Sequence, residues 1–143
     1  MHNDFWKQLK SGTDVRGVAS EGIPGQSVNL TDEAVGKITG AYVLWLTEKT
    51  GKEAGKLTVA VGRDSRISGP RITGVVTRTL ADSGVTVLDC GLASTPSMFM
   101  TTVDLACDGA VQVTASHHPF NRNGLKFFTR QGGLEGCDIE TIL

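Results

Sequence analysis

The chain has 143 residues, 39% of them apolar and 20% charged, a balance that belongs to a folded globular domain and excludes a disordered or low-complexity polymer. Its formal net charge is -1, which argues against a nucleic-acid partner, because such domains carry a basic surplus or stripe. No apolar run approaches the roughly 18 residues a membrane helix needs. The first residues, MHNDFWKQLKSG, hold no apolar leader, so the expected compartment is the cytoplasm. Three cysteines, Cys90, Cys107 and Cys137, are odd in number and lack CxxC spacing. They read as free thiols rather than a disulfide framework or a zinc site.

Residues 1–12 read as an N-terminal extension and 13–143 as one domain. TDVRGV (13–18) has the length of a short strand followed by a turn. TDEAVGKITGAYVLWLTEKTG (31–51) predicts a helix, with Thr31 as N-cap, Asp32 and Glu33 at the positive end of the dipole, and Gly51 as terminator. Val35, Ile38, Tyr42 and Trp45 recur at helical spacing. Gly36 and Gly40 each cost such a helix about 1 kcal/mol, which predicts close packing against a neighbour. LTVAVG (57–62) is apolar and β-branched, as suits a strand covered on both faces.

SGPRITGVVTRTLADSG (68–84) predicts a second helix, capped by Ser68 and with Pro70 in its first turn. VTVLDCG (85–91) is a second strand. STPSMFMTTVDLA (94–106) opens with a cap and a proline and predicts a third helix. GAVQVT (109–114) and LKFFT (125–129) are further strands. The alternation of strand and helix predicts a three-layer α/β/α domain around a mainly parallel, mixed four-stranded sheet. About ten residues separate the last two strands, too few for a crossover helix. LKFFT is therefore expected to run antiparallel, as an edge strand.

Ligands of open α/β sheets bind beyond the carboxyl ends of the strands. Two loops leave such ends with unusual content. GRDSRISG (62–69) packs two arginines and a carboxylate into eight positions. Either Arg63 and Arg66 grip a phosphate through forked bonds, or Asp64 pairs with an arginine and ties the loop down. TASHHPFNRNGLKFF (114–128) places Ser116 two residues past the strand end, where a hydroxyl can act as nucleophile or phosphate carrier. Lys126 follows on the next strand, placed to neutralise phosphate or move a proton. A serine hydrolase built on Ser116 and His117 is disfavoured, since GxSxG is absent and adjacent Ser and His rarely align as nucleophile and base. A non-catalytic sugar-phosphate or protein-binding module on the same fold is the remaining alternative.

TASHHPFNRNGLKFF resembles the active-site loop of the α-D-phosphohexomutases, close to TASHNPxxxNGxK. TDVRG (13–17), VAVGRDSRISGP (59–70) and GLASTPSMFM (91–100) resemble three further elements of that family, in the same order. The likeness covers about residues 13–130. It implies the first, phosphoserine-bearing domain of a phosphoglucomutase/phosphomannomutase-type enzyme. Such an enzyme interconverts hexose 1-phosphate and hexose 6-phosphate through a sugar 1,6-bisphosphate, which also serves as activator.

The resemblance implies Ser116 as the phosphorylated residue and His117 as an assistant to positioning or proton movement. Arg16 and Lys126 match residues that contact the transferring phosphoryl group. Asn123 is expected to bind substrate phosphate. Mg²⁺ is expected to meet this domain through the phosphate on Ser116 alone. The DGDGDR-like metal loop and GExSGH-like sugar loop of domains II–IV do not occur in these 143 residues. The isolated domain is therefore expected to be inactive and to bind metal weakly. His118 stands where the family commonly has Asn, which leaves any role of that amide without a counterpart.

Overall fold

The computed structural model describes residues 2–143; Met1, part of the expected extension, lies outside them. A seven-stranded mixed sheet runs through the middle of the molecule. Its parallel part comprises β3 (Thr58–Arg63), β4 (Thr86–Leu92) and β5 (Gly109–Val113), with β3 between the other two. On the far side of β5 come β6 (Arg122–Thr129), then β2 (Asp14–Val18) and β1 (Lys10–Ser11), each antiparallel to its neighbour. A two-residue strand, β7 (Gly132–Gly133), pairs with the end of β6. Strands β2 to β5 thus point one way and β6 the other.

Two expectations need correction. The sheet has seven strands rather than four, and the LKFFT strand is interior rather than an edge. It begins three residues earlier, at Arg122, and pairs with β2 on one side and β5 on the other. The cause is β2. All five of its residues are buried, including Asp14 and Arg16, so its charged side chains disguise an inner strand. The opening segment is also structural. Leu9 is fully buried within the main core, and Lys10–Ser11 pairs with β2. The short helix α1 (His2–Lys7) precedes it.

Helices cover both faces. α2 (Asp32–Thr50) and α3 (Gly69–Asp82) pack on one face, joined by the terminal helix α5 (Gly136–Ile142). α4 (Thr95–Asp104) covers the other. Side-chain alternation along the strands sorts the core accordingly. Val59, Val61, Val111, Val113, Leu125 and Phe127 meet Val35, Ile38, Tyr42, Ile72 and Leu80 on the first face. Ala60, Ala110 and Phe128 meet Met98 on the second.

The local signals act as expected for α2. The Thr31 hydroxyl accepts from the Ala34 N–H at 3.1 Å, and Gly51 closes the helix at φ 70°. Gly36 does face α3, where an added Cβ would sit 3.7 Å from Thr79 Oγ1; at Gly40 nothing lies within 4 Å, so close packing explains only the first. Ser68 precedes α3 without capping it. Its hydroxyl is committed elsewhere, as described below. Among the described residues no helix is long and apolar enough to cross a membrane.

Candidate active site

The loop 114–121 leaves the carboxyl end of β5 and returns as β6. Ser116 sits on it, exposed, at φ 53°. A left-handed conformation is unusual for a residue with a Cβ and costs free energy unless the surroundings impose it. The surroundings here are a set of hydrogen bonds that hold the backbone on both sides of the serine. Among the described residues, its own hydroxyl makes no hydrogen bond.

Arg66 supplies most of the restraint. Nη2 donates to the carbonyls of Ser116 (2.7 Å) and His118 (2.8 Å), and Nη1 to those of Pro119 (2.7 Å) and Arg122 (3.1 Å). Its planar fork spans the turn in a way a point-charge ammonium does not. Asp64 holds the other end. Its Oδ2 accepts from the Thr114 hydroxyl at 2.7 Å, and Thr114 Oγ1 in turn accepts the Ser116 N–H at 3.1 Å. Asp64 Oδ1 also accepts the Arg66 N–H. Of the two readings open for the GRDSRISG loop, the structure supports the tying role for Asp64 and Arg66. For Arg66→Lys we expect a loss of about 1–3 kcal/mol, since several carbonyls lose a charge-assisted donor while water replaces some of them. Urea unfolding monitored by tryptophan fluorescence checks the value. Faster amide exchange confined to residues 114–121 would be its local signature.

Beneath the loop, Arg16 and Lys126 share one carboxylate. Arg16 Nη2 donates to Asp14 Oδ2 at 2.7 Å, and Lys126 Nζ donates to Asp14 Oδ1 at 3.0 Å. Arg16 Nη1 also donates to the Thr114 carbonyl, two residues before Ser116. Arg16 and Asp14 are buried and Lys126 is half-buried. The register explains how these groups meet. Arg16 pairs across the strands with Gly124, and Gly124 shares its sheet face with Lys126. At Gly124 a Cβ would lie 2.1 Å from the Val15 carbonyl and 2.8 Å from Arg16 Cδ, so only glycine lets the arginine lie flat against the sheet.

His117 is exposed and His118 half-buried, their rings tilted with centroids 5.4 Å apart. Burial, then the charges of Arg16 and Arg122, hold the proton affinity of His118 below the ordinary histidine value. Asn123 departs from its expected role. It is fully buried, its Nδ2 donates to Ser68 Oγ at 2.9 Å, and its Oδ1 accepts the Gly124 N–H. It anchors the start of β6 to α3 and does not reach the site surface; the same bond is what occupies Ser68. The segment between β2 and α2 braces the loop from its other side. Ala19 and Ser20 donate their N–H groups to the Asn121 carbonyl, and Phe120 packs on Gly22. No motif marked that brace, which depends on contacts about 100 residues apart in sequence.

Among the described residues no group of three or more His, Cys, Asp or Glu side chains is placed to hold a metal ion. The two carboxylates tied into the site, Asp14 and Asp64, are occupied by Arg16, Lys126, Thr114 and Arg66. Arg63 stays outside the arrangement; among the described residues its guanidinium donates only to the neighbouring Asp64 carbonyl, at 3.3 Å.

Known proteins share this architecture. The profile of the family described as "Phosphoglucomutase/phosphomannomutase, alpha/beta/alpha domain I" matches residues 7–142. A phosphoglucosamine mutase of Corynebacterium urealyticum is 39% identical over 122 residues, which cover 85% of this chain and 26% of the relative. A phosphoglucomutase of Neisseria gonorrhoeae is 33% identical over 130 residues, covering 91% and 26%. The crystal structure of a phosphoglucomutase/phosphomannomutase family protein from Burkholderia thailandensis superposes with a TM-score of 0.75 at 26% identity, over 95% of this chain and 29% of that one. The chain therefore spans about a quarter of the length of the curated relatives it matches. With the whole strand–loop–strand unit, its brace and its core inside the matched region, this chain belongs to the phosphoglucomutase/phosphomannomutase family, as its α/β/α domain I.

Proposed function

We propose that Ser116 carries the phosphoryl group of a mutase that interconverts hexose 1-phosphate and hexose 6-phosphate. One observation carries the reading: an exposed serine with a free hydroxyl, fixed at φ 53° by bonds to its own backbone. Strain of this kind, of order 1–3 kcal/mol, persists where pre-organisation is useful. The names of the relatives, phosphoglucosamine mutase and phosphoglucomutase, support the reaction class.

In the proposed cycle the phosphoserine P–Oγ bond breaks as a P–O bond to a sugar hydroxyl forms. The sugar hydroxyl gives up its proton and Ser116 Oγ gains one. The resulting 1,6-bisphosphate turns in the site and returns its other phosphoryl group to Ser116. The transfer needs charge neutralisation more than covalent assistance. Arg16 and Lys126 supply positive charge beneath the loop, and Asp14 holds both in place. His117, exposed beside the serine, is the proposed proton shuttle. A divalent cation would find only the phosphate oxygens of Ser116 on this domain, so binding to the isolated chain should be weak.

The test is intact-mass analysis after incubation with glucose 1,6-bisphosphate. We expect slow, single-turnover gain of one phosphoryl group, mapped to Ser116 by peptide sequencing. Steady conversion of glucose 1-phosphate by the isolated chain should be negligible. Failure to gain the group, or its appearance at another residue, would favour a binding module on the same fold.

A further inference from the structure

We propose that Arg122 is a phosphate-binding residue of this site, gripping a phosphate monoester dianion through its guanidinium. This deepens the reading of Ser116 given above and rests on it. Arg122 opens β6, directly after the serine loop. Its main chain is fixed at both ends, with its N–H donating to the Pro119 carbonyl at 3.0 Å and its carbonyl accepting from Arg66. Its side chain is not. Among the described residues, buried Nε has no hydrogen-bond partner and the guanidinium makes no ion pair. A buried donor left unmet costs about 1–3 kcal/mol, more when it is charged, so a guanidinium kept that way needs a compensating role.

Placement indicates what the role is. Arg122 and Gly124 alternate onto one sheet face with Lys126, and Arg16 pairs with Gly124 on the same face. The charge of Arg122 reaches the His118 ring, as do those of Arg16 and Arg66. Around the loop, four cations (Arg16, Arg66, Arg122, Lys126) face two carboxylates (Asp14, Asp64). Both carboxylates are already paired with Arg16, Lys126 and Arg66. The local surplus is two positive charges on a chain whose net charge is -1. Arg122 holds the charge that no carboxylate in the site answers. A guanidinium matches a phosphate edge through charge-assisted bonds. The occupant is either the phosphate on Ser116 or the phosphate of a bound sugar, and the same chemistry serves both.

The arginine Nε–H resonances of the ¹⁵N-labelled chain provide the test. Inorganic phosphate is titrated into unphosphorylated protein at constant ionic strength, with chloride as the control anion. The Arg122 Nε–H signal should move downfield saturably, and Arg122→Gln should weaken phosphate binding about tenfold, the equivalent of one good charge-assisted bond. Arg122→Lys, which keeps charge but not the fork, should recover only part. In chain phosphorylated at Ser116, a signal already displaced before phosphate is added identifies the phosphoserine as occupant. A signal that still responds to added phosphate identifies the substrate. An Arg122 signal indifferent to both overturns the inference, and because it is read on the wild-type chain it does not depend on the variants folding. The two readings fail separately. Phosphorylation of Ser116 with an indifferent Arg122 sinks this inference alone, whereas phosphate binding at Arg122 with no phosphorylation of Ser116 sinks the carrier reading alone.

Discussion

Asp14→Ala should cost about 3–5 kcal/mol of stability, because it strands Arg16 in a buried position without its counter-charge. The Arg16 side chain is 7% exposed and that of Asp14 12%. Neither can turn to water without opening the sheet between β2 and β6. Lys126, at 25% exposure, loses its partner too but can move outward. A domain of this size has about 5–15 kcal/mol in total, so the loss should lower the melting temperature by roughly 10–20 °C. Calorimetry of the two proteins at one pH measures it. Asp14→Asn keeps an oxygen for Arg16 and should lose less. Asp14→Ala combined with Arg16→Met removes both charges and should recover part of the loss, as replacing both members of a buried pair often does. If the double variant is less stable than Asp14→Ala alone, the ion pair is not the source of the effect, and packing of the Arg16 stem must be.

Ser116→Ala should abolish phosphoryl uptake while leaving stability within about 0.5 kcal/mol, since the side chain is exposed and its hydroxyl is unbonded. Intact-mass analysis reads the first half and urea unfolding the second. The contrast with Asp14→Ala separates a group used in chemistry from one used in architecture. Ser116→Gly adds a check on the strain. Glycine adopts φ 53° without penalty, so this variant should be as stable as the wild type or slightly more stable, and equally unable to take up phosphate. Residual uptake in either variant would mean that a neighbouring group, such as His117, is the acceptor.

The same comparison shows why the site was only partly readable beforehand. Ser116, Arg16 and Lys126 sit inside short, distinctive stretches, and their residue types suit phosphate chemistry wherever the chain places them. Asn123 belongs to the same stretch, yet the fold buries it against Ser68; a motif marks that an amide is needed without saying what it touches. Arg66 and Asp64 left two readings open, because arginine serves a phosphate and a set of carbonyls equally well. Arg122 carried no signal at all. Its significance lies in the absence of a partner, which appears only when every neighbouring acceptor has been located.

The ends of α2 and the apolar runs of β3 and β5 depend on neighbours within a few residues, so composition and periodicity determined them: Thr31 and Gly51 bound α2 just as their chemistry dictates. The place of β6 in the sheet did not follow from local pattern, because burial of β2 overrides the polarity of Asp14 and Arg16. The geometry of the serine loop likewise depends on Arg66, some 50 residues away, and on Arg16, about 100 residues away. Such contacts are won against chain entropy by the whole core at once, and only the tertiary structure could decide them.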